Sequence, residues 1–160
     1  MNMLKALFAI ITLSFSLNSF AIDEENEMLF KDALIDGNVK AVQKYISAEP
    51  TLVNQKFFGW TPLQMAANAN QVKVAEYLVG KGAELDYIQP NAHHTAFQLA
   101  AFNGHKEMVA YLAKAGADVN VKLKGDVSLI RYFRDEGIPS WVKLLTDLGV
   151  KDDGCEDKCF

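Results

Sequence analysis

Gly59-Trp60-Thr61-Pro62-Leu63-Gln64-Met65-Ala66-Ala67 is answered 34 residues later by His93-His94-Thr95-Ala96-Phe97-Gln98-Leu99-Ala100-Ala101. The echo continues downstream, where Tyr77-Leu78 and Gly82-Ala83-Glu84 return as Tyr111-Leu112 and Gly116-Ala117-Asp118. Thr61 and Thr95, Ala66 and Ala100, Leu78 and Leu112, and Gly82 and Gly116 all share the spacing of 34. A fixed period of about 20 to 50 residues marks a stacked array, in which no unit buries its apolar face alone and each completes its neighbour.

Each part of the unit has a local reason. Thr61 can cap a helix through its hydroxyl, and Pro62 suits the first helical position because its missing N–H has no intrahelical partner there. Leu63, Ala66 and Ala67 then form a narrow apolar stripe whose alanines let another helix approach closely. Asn70 and Gly104 stand where the chain must turn, and both residue types tolerate positive φ. A second helix follows on Val72, Val74, Ala75, Leu78 and Val79, and in the next unit on Met108, Val109, Leu112 and Ala113. Gly82 and Gly116 are predicted to end it.

The flanking units are spelled less regularly. Asp23, Glu24, Glu25 and Glu27 precede an apolar run and complement the dipole of a first helix. Gly37 takes the turn, Val39, Val42, Tyr45 and Ile46 make the second helix, and that helix is predicted to end before Glu49-Pro50. After Asn120, Gly125 to Ile130 aligns with Gly59 to Gln64, Gly137 takes the turn, and Trp141, Val142, Leu144, Leu145 and Leu148 lead to Gly149. Tyr132-Phe133 replace the Ala-Ala pair, which predicts a last helix spread from its neighbour by bulkier packing.

Thr61-Pro62-Leu63-Gln64-Met65-Ala66-Ala67, Gly104-His105-Lys106-Glu107-Met108-Val109 and Gly116-Ala117-Asp118-Val119-Asn120 resemble the ankyrin repeat. Gln64 and Gln98 stand where that family usually has histidine, Ala96 replaces proline, and Asn70-Gln71 replaces Gly-His. The resemblance implies an all-α solenoid of about four helix-turn-helix units with hairpin-like loops, built to bind other proteins; with no Gly-rich phosphate loop, no Gly-x-Ser-x-Gly and no convergent Ser, His and Asp in the sequence, neither an enzyme nor a cofactor is expected. The units fall at about 25–57, 58–91, 92–124 and 125–151 within an array of residues 22–151.

Residues 1–21 are a different kind of text. Lys5 supplies a positive start, Leu7 to Leu17 is mostly apolar, and Ser19-Phe20-Ala21 places small residues where a signal peptidase reads. This is the pattern of a cleaved secretory signal, against the alternative of an uncleaved anchor, and the apolar run is shorter than the roughly 20 residues a membrane span needs. Export to a bacterial periplasm, with no membrane anchor after cleavage, is the expected route, with secretion as the alternative. The net charge of −4 without a basic block argues against nucleic acid or an anionic membrane as partner.

The polar tail 152–160 holds the only cysteines, Cys155 and Cys159. In an exported chain the simplest outcome is a disulfide stapling a short loop, worth at most about 2 kcal/mol; a redox pair is the alternative, but the spacing is not that of a redox motif. His93-His94, with Asp86 and His105 elsewhere, suggest metal, yet zinc requires three or four converging ligands, so the expectation is no metal and no catalytic residue.

The family's exposed positions, carried onto this sequence, are Phe57, Phe58, Trp60, Asn68 and Ala69; Asn91, Ala92, His94, Phe102 and Asn103; and Leu123, Lys124, Asp126, Arg134 and Asp135. The resemblance therefore implies a hot spot at Phe57, Phe58, Trp60 and Phe102, rimmed by Lys124, Asp126, Arg134 and Asp135, against the alternative that some of the aromatics pack sideways between loops. The expected function is a monomer binding one folded protein through a concave face. An immunity-type inhibitor of a toxin or hydrolase is the first form of this. A scaffold for an envelope enzyme, such as one in oxidant defence, is the second, and a redox or metal-binding protein is the rival class.

Overall fold

Thr61 and Thr95 start two helices by the same device. Each hydroxyl accepts the backbone N–H of the glutamine three residues on, at 3.2 Å for Gln64 and 3.3 Å for Gln98. Each glutamine Oε1 accepts the threonine N–H in return, at 3.1 and 3.0 Å, which completes a capping box. The computed structural model describes residues 23–154, so both the predicted secretory segment and the Cys155/Cys159 pair lie outside the described residues.

The order of elements is α1 Glu24–Ile35, α2 Val39–Ala48, a 3₁₀ turn Pro50–Asn54, α3 Pro62–Asn68, α4 Val72–Gly80, α5 Ala96–Phe102, α6 Lys106–Lys114, α7 Leu129–Asp135 and α8 Pro139–Asp147. The described residues contain no β-strand, only isolated bridges between Phe57 and Trp60 and between Leu123 and Val127. The fold is thus an all-α array of helix pairs, α1/α2 through α7/α8, as the resemblance implies. No helix among the described residues is long and apolar enough to cross a membrane.

The turn positions behave as their residue types dictate. Gly37, Asn70, Gly104 and Gly137 all adopt positive φ, between 57° and 79°, between the two helices of their pairs. The stripes named from sequence form the core: Leu63, Ala66, Ala67, Val74, Ala75 and Leu78 are fully buried, as are Met108, Val109 and Leu112.

Two ladders stitch neighbouring units together. Asn54 Oδ1 accepts the N–H of Glu84 at 2.8 Å, Asp86 Oδ1 that of Asp118 at 2.8 Å, and Asn120 Oδ1 that of Lys151 at 2.7 Å. On the opposite side of each unit, Gln71 Nε2 donates to the Ile35 carbonyl at 2.6 Å, and the His105 ring meets the Asn68 carbonyl at 3.0 Å. Gln71 thus fills the position taken by histidine in the following unit.

The last interface is built differently. The small alanines let α3 and α5 pack backbone to backbone, whereas α5 meets α7 through aromatic rings. Phe102 lies 5.0 Å from Tyr132 edge-to-face and 6.3 Å from Phe133, and Phe133 stacks on Trp141 at 5.0 Å. Tyr132 and Phe133 therefore spread this interface, as expected from their size.

Candidate partner-binding face

The loops after each unit are held in register by the two buried glutamines. Gln64 Nε2 donates to the carbonyls of Tyr87 and His94, both at 2.9 Å, and Gln98 Nε2 donates to the Val121 carbonyl at 2.7 Å. Lys56 Nζ sits 4.9 Å from the centre of the Tyr87 ring, tying the first loop to the second. The loops 55–60, 88–94 and 121–127 consequently stack along one edge of the array.

At the first tip, Phe57 and Trp60 exchange both backbone hydrogen bonds, at 2.9 and 3.0 Å, around Phe58 and Gly59. Both central residues have positive φ, 52° at Phe58 and 82° at Gly59. This is the turn that asparagine and glycine prefer, because a Cβ in the left-handed region is strained. The fourth-unit tip, one residue longer, puts Gly125 and Asp126 at positive φ, and the third-unit tip puts His93 there; these residue types are commoner in that region, so Phe58 is the exception.

Phe58 is 84% exposed, the most exposed of the large apolar side chains among the described residues. Phe57 is not exposed, contrary to expectation: only 3% of it is accessible, and its ring lies 5.9 Å from Phe30. Phe57, at the base of the turn, packs on the core, while Phe58, at its tip, projects outward. Phe102 is also half-buried among His94, Tyr132 and Phe133, and thus packs sideways between units.

Phe58 overhangs an open concavity of about 350 Å³ bounded by Lys31, Ile35, Phe57, Trp60, Met65, Asn68 and Ala69. All five second-unit positions named from sequence meet here. Lys31, Ile35 and Met65 were not foreseen: they come from the neighbouring helix α1 and from the middle of α3, and only the stacking of units places them beside the turn. Lys31 Nζ pairs with Glu27 at 3.0 Å and lies 5.1 Å from the Phe58 ring centre.

A second concavity, of about 470 Å³, is formed by His94, Leu99, Phe102, Leu123, Lys124 and Tyr132. His94 stacks 4.8 Å from Phe102, and its Nδ1 is buried with no hydrogen-bond partner. Burial lowers the His94 pKa below its usual value of 6.5; the His93 backbone bond opposes this and the neighbouring His93 charge adds to it.

The remaining positions are spread out. Asn68 and Asn103 are exposed and bonded to each other at 3.0 Å. Asp126 is exposed at its tip, as is Lys124. Arg134 and Asp135, expected as a charged rim, instead make ion pairs within the chain, Arg134 with Asp152 and Asp135 with Arg131. Arg134, near the end of α7, is within reach of the returning chain, whereas Asp135 pairs within its own helix. Among the described residues there is no group of three or more His, Cys, Asp or Glu that could hold a metal ion.

Stacked helix pairs whose loops form one edge with an exposed aromatic beside an open groove define a helical-repeat binding scaffold. The chain belongs to the ankyrin repeat family: the family described as ankyrin repeats (3 copies) matches residues 30–122. Ankyrin repeats generally mediate protein–protein interaction.

The chain is similar to ankyrin repeat and SAM domain-containing protein 6 of Rattus norvegicus, 37% identical over 94 residues, 58% of this chain and 10% of that one. An ankyrin repeat protein of Rickettsia felis is 28% identical over 119 residues, 74% of this chain and 41% of that protein. The crystal structure of an ankyrin repeat domain from Acinetobacter baumannii AYE superposes with a TM-score of 0.66 at 26% identity, covering 76% of this chain and 64% of that one. This chain thus spans less than half the length of these two curated relatives.

Proposed function

We propose that this chain is an exported module, acting as a monomer in a bacterial periplasm, that binds one folded protein through the loop edge and the concave side of the array. Phe58 carries the reading. An aromatic side chain held at φ 52° and left 84% exposed has two costs to the fold, backbone strain and exposed apolar surface. An asparagine or glycine would have avoided both, so the side chain is best accounted for by what it contacts outside the chain. The groove beside it, with Trp60 and Met65 in its wall, is where a partner's apolar side chain would lodge.

Export rests on the tripartite pattern of residues 1–21. Within the binding class, the favoured role is an immunity-type inhibitor that occludes a toxin or hydrolase; the other is a scaffold for an envelope enzyme. The test is affinity capture from the native envelope with the wild-type chain and with Phe58→Ala/Trp60→Ala, followed by assay of the captured protein. A partner held by the wild type, lost by the double variant and inactive in the complex supports the inhibitor. A partner active in the complex supports the scaffold, and a partner held equally by both proteins removes this face from consideration.

A further inference from the structure

The charges at the loop tips are biased toward one sign, the carboxylates Glu84, Asp86 and Asp118 standing at the base of the loops where they join neighbouring units. The loops 55–60, 88–94 and 121–127 contain Lys56, Lys122 and Lys124 against the single carboxylate Asp126, although the chain as a whole carries −4. All three lysines are exposed. Lys56 lies 3.5 Å from Glu84, while Lys122 and Lys124 are in no ion pair among the described residues. Lys124 also borders the second concavity, beside Phe102 and Tyr132. The edge therefore joins an aromatic groove at one end to a cationic, aromatic-walled hollow at the other, against an acidic background elsewhere.

We infer that the partner presents an acidic surface segment with an apolar anchor, the anchor lodging beside Phe58 and Trp60 and the carboxylates lying over Lys122 and Lys124. This rests on the protein-binding reading above and adds the chemistry of the partner. Charge complementarity raises encounter rate and selects among partners more than it adds affinity, and it weakens with salt because the lysines are exposed. An acidic chain with locally basic loop tips favours approach of an acidic partner to those tips over approach elsewhere. That geometry selects orientation as well as partner.

The experiment titrates the ¹⁵N-labelled protein with three peptides of one design, Leu-Phe-Gly-Ser-Gly-Ser-Gly-Glu-Glu-Glu and its lysine and serine counterparts, whose spacer is long enough to reach across two units, with phosphatidylglycerol vesicles and single-stranded DNA run in parallel. The expected result is that the glutamate peptide binds tightest, shifts the amides around Phe58, Trp60 and Lys124, and weakens about tenfold in Lys122→Glu/Lys124→Glu. Phe58→Asn, which keeps the turn, should weaken the glutamate and serine peptides together. Equal or tighter binding of the serine or lysine peptide overturns the charge assignment, as does binding of vesicles or DNA with no response to any peptide. Silence toward all probes, or shifts mapping away from this edge, overturns it as well. The underlying protein-binding reading fails by a different observation, unchanged envelope capture by Phe58→Ala/Trp60→Ala.

Discussion

The backbone N–H of Ser128 donates to the carboxylate of Asp153 at 2.9 Å, reaching across 25 residues to a group that the two middle units find three residues away. In those units the N–H of the capping threonine is taken by Gln64 or Gln98. In the last unit the cap is Ser128, one residue later than the sequence alignment placed it, so Arg131 stands at the glutamine position; a guanidinium only donates, and the returning chain supplies the acceptor instead. Asp153→Ala is expected to destabilise the chain by about 1 kcal/mol, the usual cost of an orphaned cap donor, while Asp153→Asn keeps an acceptor and costs less. Urea unfolding of the three proteins checks this; equal midpoints would show the contact to be idle.

Phe58→Asn separates folding from recognition. Relief of the left-handed strain outweighs the lost contact with Lys31, giving a net gain of about 0.5 to 1 kcal/mol. Thermal melting should show a higher midpoint in a protein that no longer captures its partner. A lower midpoint would mean that the exposed ring contributes to the fold.

Gln98 carries three bonds from a fully buried position: its N–H to Thr95 Oγ1, its Oε1 from the Thr95 N–H, and its Nε2 to Val121. Gln98→Leu leaves the Thr95 N–H and the Val121 carbonyl without partners and is expected to cost about 2 to 4 kcal/mol. Gln98→His, which keeps one acceptor and one donor on its ring, should recover most of that loss. Denaturant melts of both variants read the difference, and comparable losses would show that the family's histidine cannot do the work of this glutamine.

His94 makes stability depend on pH. Its folded pKa is lowered from 6.5 by burial, so as pH falls below 6.5 the unfolded chain takes up a proton that the folded chain resists. Stability due to this group is intact above pH 6.5 and is lost as pH falls through the folded value. His94→Phe retains ring packing on Phe102 and removes the orphaned Nδ1. That variant should lose stability less steeply between pH 7 and pH 5, measured as Tm against pH; parallel curves would exclude His94 as the source.

The array itself was legible. Repeat spacing, threonine caps, alanine stripes and the residues at the turns are local signals, and each acts within about a helical turn of where it is written. Gly37, Asn70, Gly104 and Gly137 all took the positive φ expected of them. Even the spreading of α7 by Tyr132 and Phe133 followed from side-chain volume.

The binding face was legible only in part, because exposure is a property of several segments at once. Phe57 and Phe58 are neighbours of one type, and which of them faces the core depends on where the turn falls. Arg134 and Asp135 read as a free rim until the chain beyond α8 returned to pair with one of them. Lys31 and Ile35 have no place in the repeat pattern of the groove they help to form.

The amino-acid sequence alone determined the period, the helix pairs and the family, since capping, turning and apolar spacing are decided by residues close together in the chain. Tertiary structure decided which aromatic is presented, which charges are already paired and which helices wall the groove. Those outcomes depend on contacts between units, where residues about 30 apart in sequence first meet.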